Sequence, residues 1–163
     1  HFWSPHSVRM SSTWSIQSVR DAYRSELLFY NSFHKNETNW MIHAVSIPLE
    51  WTSWLLFLAI LKVHWYVAVT AAIYYIIIKS PRSKVAAIAQ IIFCQVAETT
   101  LQHTGIFLAL VIIAIVHLSS WFVQVYIGHK IYENNLPAMT VKLTLNSILL
   151  SPLLAWDCVP GKP

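Results

Sequence analysis

Apolar positions in this chain come in long blocks, at roughly 40–61, 64–79, 85–98, 105–128 and 139–157. Blocks of that kind predict helices that are apolar on every side, because a one-sided surface helix or a half-exposed strand would show a shorter period. The first, "WMIHAVSIPLEWTSWLLFLAIL", is interrupted by Pro48 and Glu50. The second, "HWYVAVTAAIYYIII", is short, and the third, "VAAIAQIIFCQVAE", is shorter still and fits a tilted or re-entrant segment. The fourth, with "GIFLALVIIAIVHLSSWFV", is the clearest, and the fifth carries Lys142 and Pro152. A membrane crossing takes about 20 mostly apolar residues. The pattern therefore predicts an all-α integral membrane bundle of four to five transmembrane helices. Ahead of it, "SVRDAYRSELLFYNSFH" sets Ala22, Leu27, Leu28 and Phe29 against Arg20, Asp21, Arg24 and Glu26, with Tyr23, Leu27 and Tyr30 at helical spacing. This is an amphipathic helix, either lying in the membrane interface or capping the bundle. The domain plan is an extension at 1–19, one membrane-embedded helical domain at 20–158 and a tail at 159–163.

Composition sharpens the class. Only 11% of the 163 residues are charged and 56% are hydrophobic, against roughly 25% charged in a soluble domain. A net charge of +4 with no block of like charge gives no footing for nucleic acid. Cys94 and Cys158 are far apart and fit neither a CxxC site nor a disulfide framework. Lys79, Arg82 and Lys84 cluster after the second block, which places that turn on the cytoplasmic or matrix side. Counting crossings then brings Arg20, Arg24, Lys35, His129, Lys130 and Glu133 to the same side. The chain opens at His1, and its Ser-rich start has no acidic residue before Asp21, a composition that can follow a cleaved organelle-targeting segment.

Two helix ends thus converge, and each offers histidine with a polar partner one turn away. Asn39 and His43 are four apart, as are His129 and Glu133, so each pair shares a face; His34 lies just upstream of the first. Three imidazoles and a carboxylate can meet at the basic surface. Imidazole suits Fe, Zn, Cu or Ni, and histidine plus carboxylate with open positions suits non-haem Fe(II) and O₂. HExxH, GxSxG, the P-loop and GxGxxG are absent, so hydrolase and nucleotide-dependent chemistries lack their local machinery. His1, His6, His64 and His103 read as surface or hydrogen-bonding residues. His117 stands twelve residues from His129, about 18 Å along a straight helix, whereas ligands of one ion lie within roughly 4 Å of each other. With Trp121, Gln124 and Gly128 it forms a stripe that packs on another helix or lines a cavity.

"FYNSFHKNETNWMIHAVSIP" and "WFVQVYIGHKIYENNLPA" resemble the yeast-type 2-hydroxy fatty acid dioxygenase family of small membrane proteins. The matching positions are Phe29, Tyr30, His34, Asn39, His43 and Pro48, then Trp121, Gln124, Gly128, His129, Glu133, Pro137 and Ala138. The sequence departs from the family at Ser46, where many members carry Gly. It departs again near Val141 and Lys142, where an acid is expected, and at Asp157, which stands for a late Glu. The resemblance implies an Fe(II)-dependent dioxygenase that shortens a long-chain 2-hydroxy fatty acid by one carbon with O₂. His34, His43 and His129 would be the metal ligands. Glu133, as ligand or as orienter of His129, would act with Asn39 and Gln124 in catalysis. Lys35 or Lys130 could attract the substrate carboxylate or simply snorkel to the surface. The family points to the endoplasmic reticulum. The alternative is an accessory subunit of a larger membrane complex, with the mitochondrial inner membrane as its location, in which the fold persists without catalysis. A lipid-binding or transport protein would use the same cavity without iron.

Overall fold

The computed structural model describes residues 15–137 and 145–160, with backbone alone for 145–147. The expected extension at 1–14, the start of the fifth apolar block with Lys142, and the tail at 161–163 lie outside the described residues. Five helices are present and no strand occurs among the described residues. Helix α1 (Ile16–Ser32) opens with a capping box in which Ser15 and Ser18 satisfy each other's backbone amides. Tyr23 and Tyr30 are its buried residues, and Leu28 points outward. α2 (Glu37–Ile60) starts where the Asn36 side chain accepts from the amides of Thr38 and Asn39. α3 (His64–Ile78), α4 (Ser83–Phe122) and α5 (Leu145–Asp157) follow, and α4 runs on as a π-helical stretch, Val123–Glu133.

Gly105 splits α4 into two arms, 83–104 and 106–122. Its φ of 70° and ψ of 173° are non-helical, in a region essentially restricted to glycine. Trp51 of α2 donates to Gln90 in the first arm, and Ser53, two residues on, meets His117 in the second. On one straight helix Gln90 and His117 would be about 40 Å apart. The chain therefore reverses at Gly105, as the separate third and fourth apolar blocks anticipate. The reversal returns His129 to the end of the bundle where α2 begins. Arg82 is at that end too, since its amide donates to Asp157 and its charge and that of Glu133 both act on Cys158.

Two helices are long and apolar enough to cross a membrane, Glu37–Ile60 and the Ser83–Glu133 run; His64–Ile78 and Ile148–Asp157 are apolar but shorter. The second arm turns Ile106, Phe107, Leu118 and Phe122 outward. Two prolines inside helices each free a carbonyl four residues back, and each carbonyl finds a donor. Pro48 frees Ala44, which accepts from the Trp156 indole at 3.0 Å. Pro152 frees Ile148, which accepts from Ser151 at 2.9 Å. Trp40 donates to the Ala155 carbonyl and Tyr75 to that of Leu149, so α5 is tied to α2 and α3 by aromatic donors.

Because a side chain at Gly105 would be strained whatever space surrounds it, Gly105→Ala should destabilise the bundle by about 1–3 kcal/mol. Thermal unfolding in detergent checks this, and an unchanged midpoint would contradict the sharp reversal.

Candidate metal centre

Three elements each bring one imidazole to a single point. His34 lies on the link between α1 and α2, its ring stacked on Tyr30 at 3.9 Å and 14°. His43 is one turn and a half into α2. His129 comes from the π stretch. The ring centroids form a near-equilateral triangle, 4.5 Å for His34–His43, 4.8 Å for His43–His129 and 4.9 Å for His34–His129. The rings are 1%, 5% and 2% exposed for His34, His43 and His129.

Backbone carbonyls set the tautomers of two of them. His34 Nδ1 is 2.8 Å from the Tyr30 carbonyl and His43 Nδ1 is 3.0 Å from that of Asn39. A carbonyl only accepts, so Nδ1 carries the proton and Nε2 keeps its lone pair, the state a metal ligand requires. His34 Nε2 and His129 Nδ1 are buried without a hydrogen-bond partner. The group offers one nitrogen per ring, all within 4.8 Å of one another. Ligands on one ion at about 2.1 Å can be at most about 4.2 Å apart, so small side-chain rotations close the set. The donor chemistry, the burial and the unfilled lone pairs fit a transition metal.

The π winding puts His129 in place. At 100° per residue an α-helix would set Gln124 and Glu133 on opposite sides. Hydrogen bonds from i to i+5 widen the turn to roughly 4.4 residues, so that Gly128, His129 and Glu133 all fall within about 50° of Gln124. Gln124, Gly128 and His129 are indeed buried. Gly128 leaves room for side chains of α2: a Cβ there would collide with Asn39 Oδ1 and press on the His43 ring.

The other expected site residues surround this point or leave it. Glu133 accepts from the Asn36 amide at 2.6 Å and from Asn39 Nδ2 at 3.3 Å. It fastens the start of α2, where a negative charge also suits the helix dipole. Asn39 sits between Glu133 and Gly128. Gln124 is engaged elsewhere, donating to Glu50 at 2.9 Å. His117 is outside the triangle, 3.8 Å from Glu50 and 3.4 Å from Ser53. The expected stripe holds for His117, Gln124 and Gly128, while Trp121 is exposed. His64 faces Glu98 and His103 bonds the Thr99 carbonyl. Sequence reasoning passed over Tyr30 and Glu50 as site residues. For Glu50 a signal existed, an acid in mid-helix among apolar residues; for Tyr30 only the family motif pointed that way.

A family model described as 2-hydroxy-palmitic acid dioxygenase Mpo1-like matches residues 20–163. The chain belongs to the Mpo1-like family. The match takes in both motifs and all the helices but the first turn of α1. No curated protein and no solved structure matches the chain. The three histidines of the triangle lie within the range matched to the Mpo1-like family, and the dioxygenase name is in keeping with a metal there.

Replacing His34, His43 or His129 by Ala should each remove most bound metal, measured by elemental analysis after gel filtration, while His64→Ala and His103→Ala keep it. Gly128→Ala, which displaces Asn39, should weaken metal binding by roughly tenfold.

Burial pushes His34 down to about 3 from 6.5, and the neighbouring His129 also disfavours its charge. The unfolded chain therefore takes up this proton first as pH falls. The metal-free fold should lose stability from about pH 6.5 down to about pH 3, with no further loss from this group below that. His34→Gln should flatten that part of the stability–pH curve; an equally steep curve would remove His34 as its source.

Proposed function

We propose that this chain is an iron(II)-dependent dioxygenase of 2-hydroxy fatty acids, held in the membrane by four to five helices. α2, α3 and the two arms of α4 are the crossings and α5 is a shorter fifth. The basic residues support one orientation. Arg20, Arg24, Lys35, Lys79, Arg82, Lys84 and Lys130 belong to the end where α2 begins, and among the described residues only Lys62 stands at the other. That charge bias puts the site end on the cytoplasmic or matrix side.

The observation that carries the reading is the buried triangle of His34, His43 and His129 with its unfilled lone pairs. Iron(II) bound there would supply positions for the 2-hydroxy carboxylate and for O₂ and a route for electrons between them. The chain's own residues do the rest. Two carbonyls keep His34 and His43 in the ligating tautomer. Glu133 and Asn39 hold the link that carries His34. Burial of all three imidazoles keeps bulk solvent from the centre. Tyr30, stacked on His34 with a buried hydroxyl that lacks a partner, is the donor we assign to a substrate oxygen. Lys35 and Lys130, beside the ligands in sequence, draw the carboxylate to this end while the acyl tail stays in apolar surroundings.

The reaction balances as RCH(OH)COOH + O₂ → RCOOH + CO₂ + H₂O. The bond between C1 and C2 breaks, C1 leaves as CO₂, C2 becomes the new carboxyl carbon, and O₂ accepts four electrons. A 3-hydroxy acid holds its hydroxyl one carbon further from the carboxylate, so the two groups cannot reach one point in the same way.

The test is product chain length. Iron-loaded protein given a long-chain 2-hydroxy acid and O₂ should release the acid one carbon shorter, read by mass spectrometry, and the 3-hydroxy isomer should give little. Folded, iron-replete protein that yields no shortened acid at any chain length would instead favour the accessory-subunit reading.

A further inference from the structure

The seam between α2 and the returning arm of α4 holds polar groups beyond the three ligands. Along α2, Asn39, His43, Ser46, Glu50 and Ser53 recur at spacings of 4, 3, 4 and 3, which is one face of a helix. Facing them come His117, Ser120 and Gln124, then Gly128, His129 and Glu133. At the middle of the seam Glu50 accepts from Gln124 Nε2 at 2.9 Å through Oε2. Its Oε1 stands 3.8 Å from His117 Nε2, and His117 Nδ1 is 3.4 Å from Ser53 Oγ. Ser53 in turn donates to the Glu50 carbonyl at 2.6 Å.

A carboxylate in an apolar bundle is costly, and apolar side chains of similar size pack at least as well, so cohesion does not account for Glu50. The best-attested use of such a group is to fix the register of two helices. Register is what the histidine triangle depends on. The π stretch differs from an α-helix only in its winding, and unwinding it to an α-helix would carry His129 about 90° away from its present bearing relative to Gln124. Both ends of the stretch are tied to α2. Gln124, its second residue, holds Glu50; Glu133, its last, holds Asn36 and Asn39.

We propose that Glu50 is a positioning residue for the metal centre. Its hydrogen bond with Gln124, steadied by His117, locks the start of the π stretch in register and so turns His129 toward His34 and His43. Gln124 acts through this bond and not at the metal. The proposal rests on the triangle being a metal centre, as put forward above.

Cobalt(II) titration of the purified, metal-free full chain in detergent tests it, followed by absorption and with helical content checked by circular dichroism. Glu50→Leu removes the acceptor, and Gln124→Glu sets two carboxylates against each other. Each should weaken cobalt binding by roughly 10–100-fold. The double exchange Glu50→Gln with Gln124→Glu restores an amide-to-carboxylate bond in the opposite sense and should bring binding back to within about threefold of wild type. If the single variants fold and bind cobalt like wild type, or the exchanged pair folds and still binds weakly, the proposal is overturned while the triangle stands. Wild-type protein that binds no cobalt would overturn both. Should the single variants not fold, the exchanged pair still decides, because its recovery of binding depends on the pairing and not on either residue alone.

Discussion

Burial is the constraint on this bundle: a polar group taken out of bulk water needs a partner from the chain. A buried donor or acceptor left unmade costs more than a hydrogen bond is worth, so the positions of Asn, Gln, Glu and His are tightly prescribed. Glu133 takes the Asn36 amide, Glu50 takes Gln124, Asp157 takes the Tyr23 hydroxyl at 2.5 Å, and Trp51 finds Gln90. Other buried atoms lack a partner too, the Tyr30 hydroxyl and both ring nitrogens of His64 among them, but the unpartnered nitrogens of His34 and His129 are the ones that lie together with a third imidazole. It is this grouping, three buried imidazoles with ring nitrogens within 4.8 Å of one another, that suits a metal.

The same rule governs the backbone. Pro48 sits between His43 and Glu50 and interrupts the helix that carries both, yet the carbonyl it releases is claimed by an indole from α5. The chemistry of α2 is thereby coupled to a helix more than one hundred residues away, as the separation of 112 between Ala44 and Trp156 records. Tyr23 makes a comparable link from α1 to the end of α5. α1 is thus a packed cap on the bundle at this point, one of the two roles its amphipathic pattern allowed.

Much of this was legible in the chain. Apolar blocks marked the helices because their outward sides are apolar as well as their packed ones, and Gly105 began the fourth block where the structure reverses. His43 with Asn39 and His129 with Glu133 were readable as same-face pairs, and charge counting put both pairs at one end. The π winding was not readable: no local residue in "VQVYIGHKIYE" demands i to i+5 bonding. The partners of Glu133 and Gln124 stayed hidden as well. Sequence spacing relates a residue to its own helix, while Asn36 and Glu50 lie 97 and 74 positions away.

The clasp between α5 and α2 also has a consequence in time. His34, His43 and His129 all precede α5 in the chain, so a nascent polypeptide possesses the whole ligand set before the indole of Trp156 exists to occupy the Ala44 carbonyl. During synthesis the helix bearing His43 therefore passes through a stage with an open backbone acceptor one residue beyond that histidine. Docking of α5 is therefore the step that completes the backbone pairing of α2 beside His43, after all three imidazoles are already in the chain.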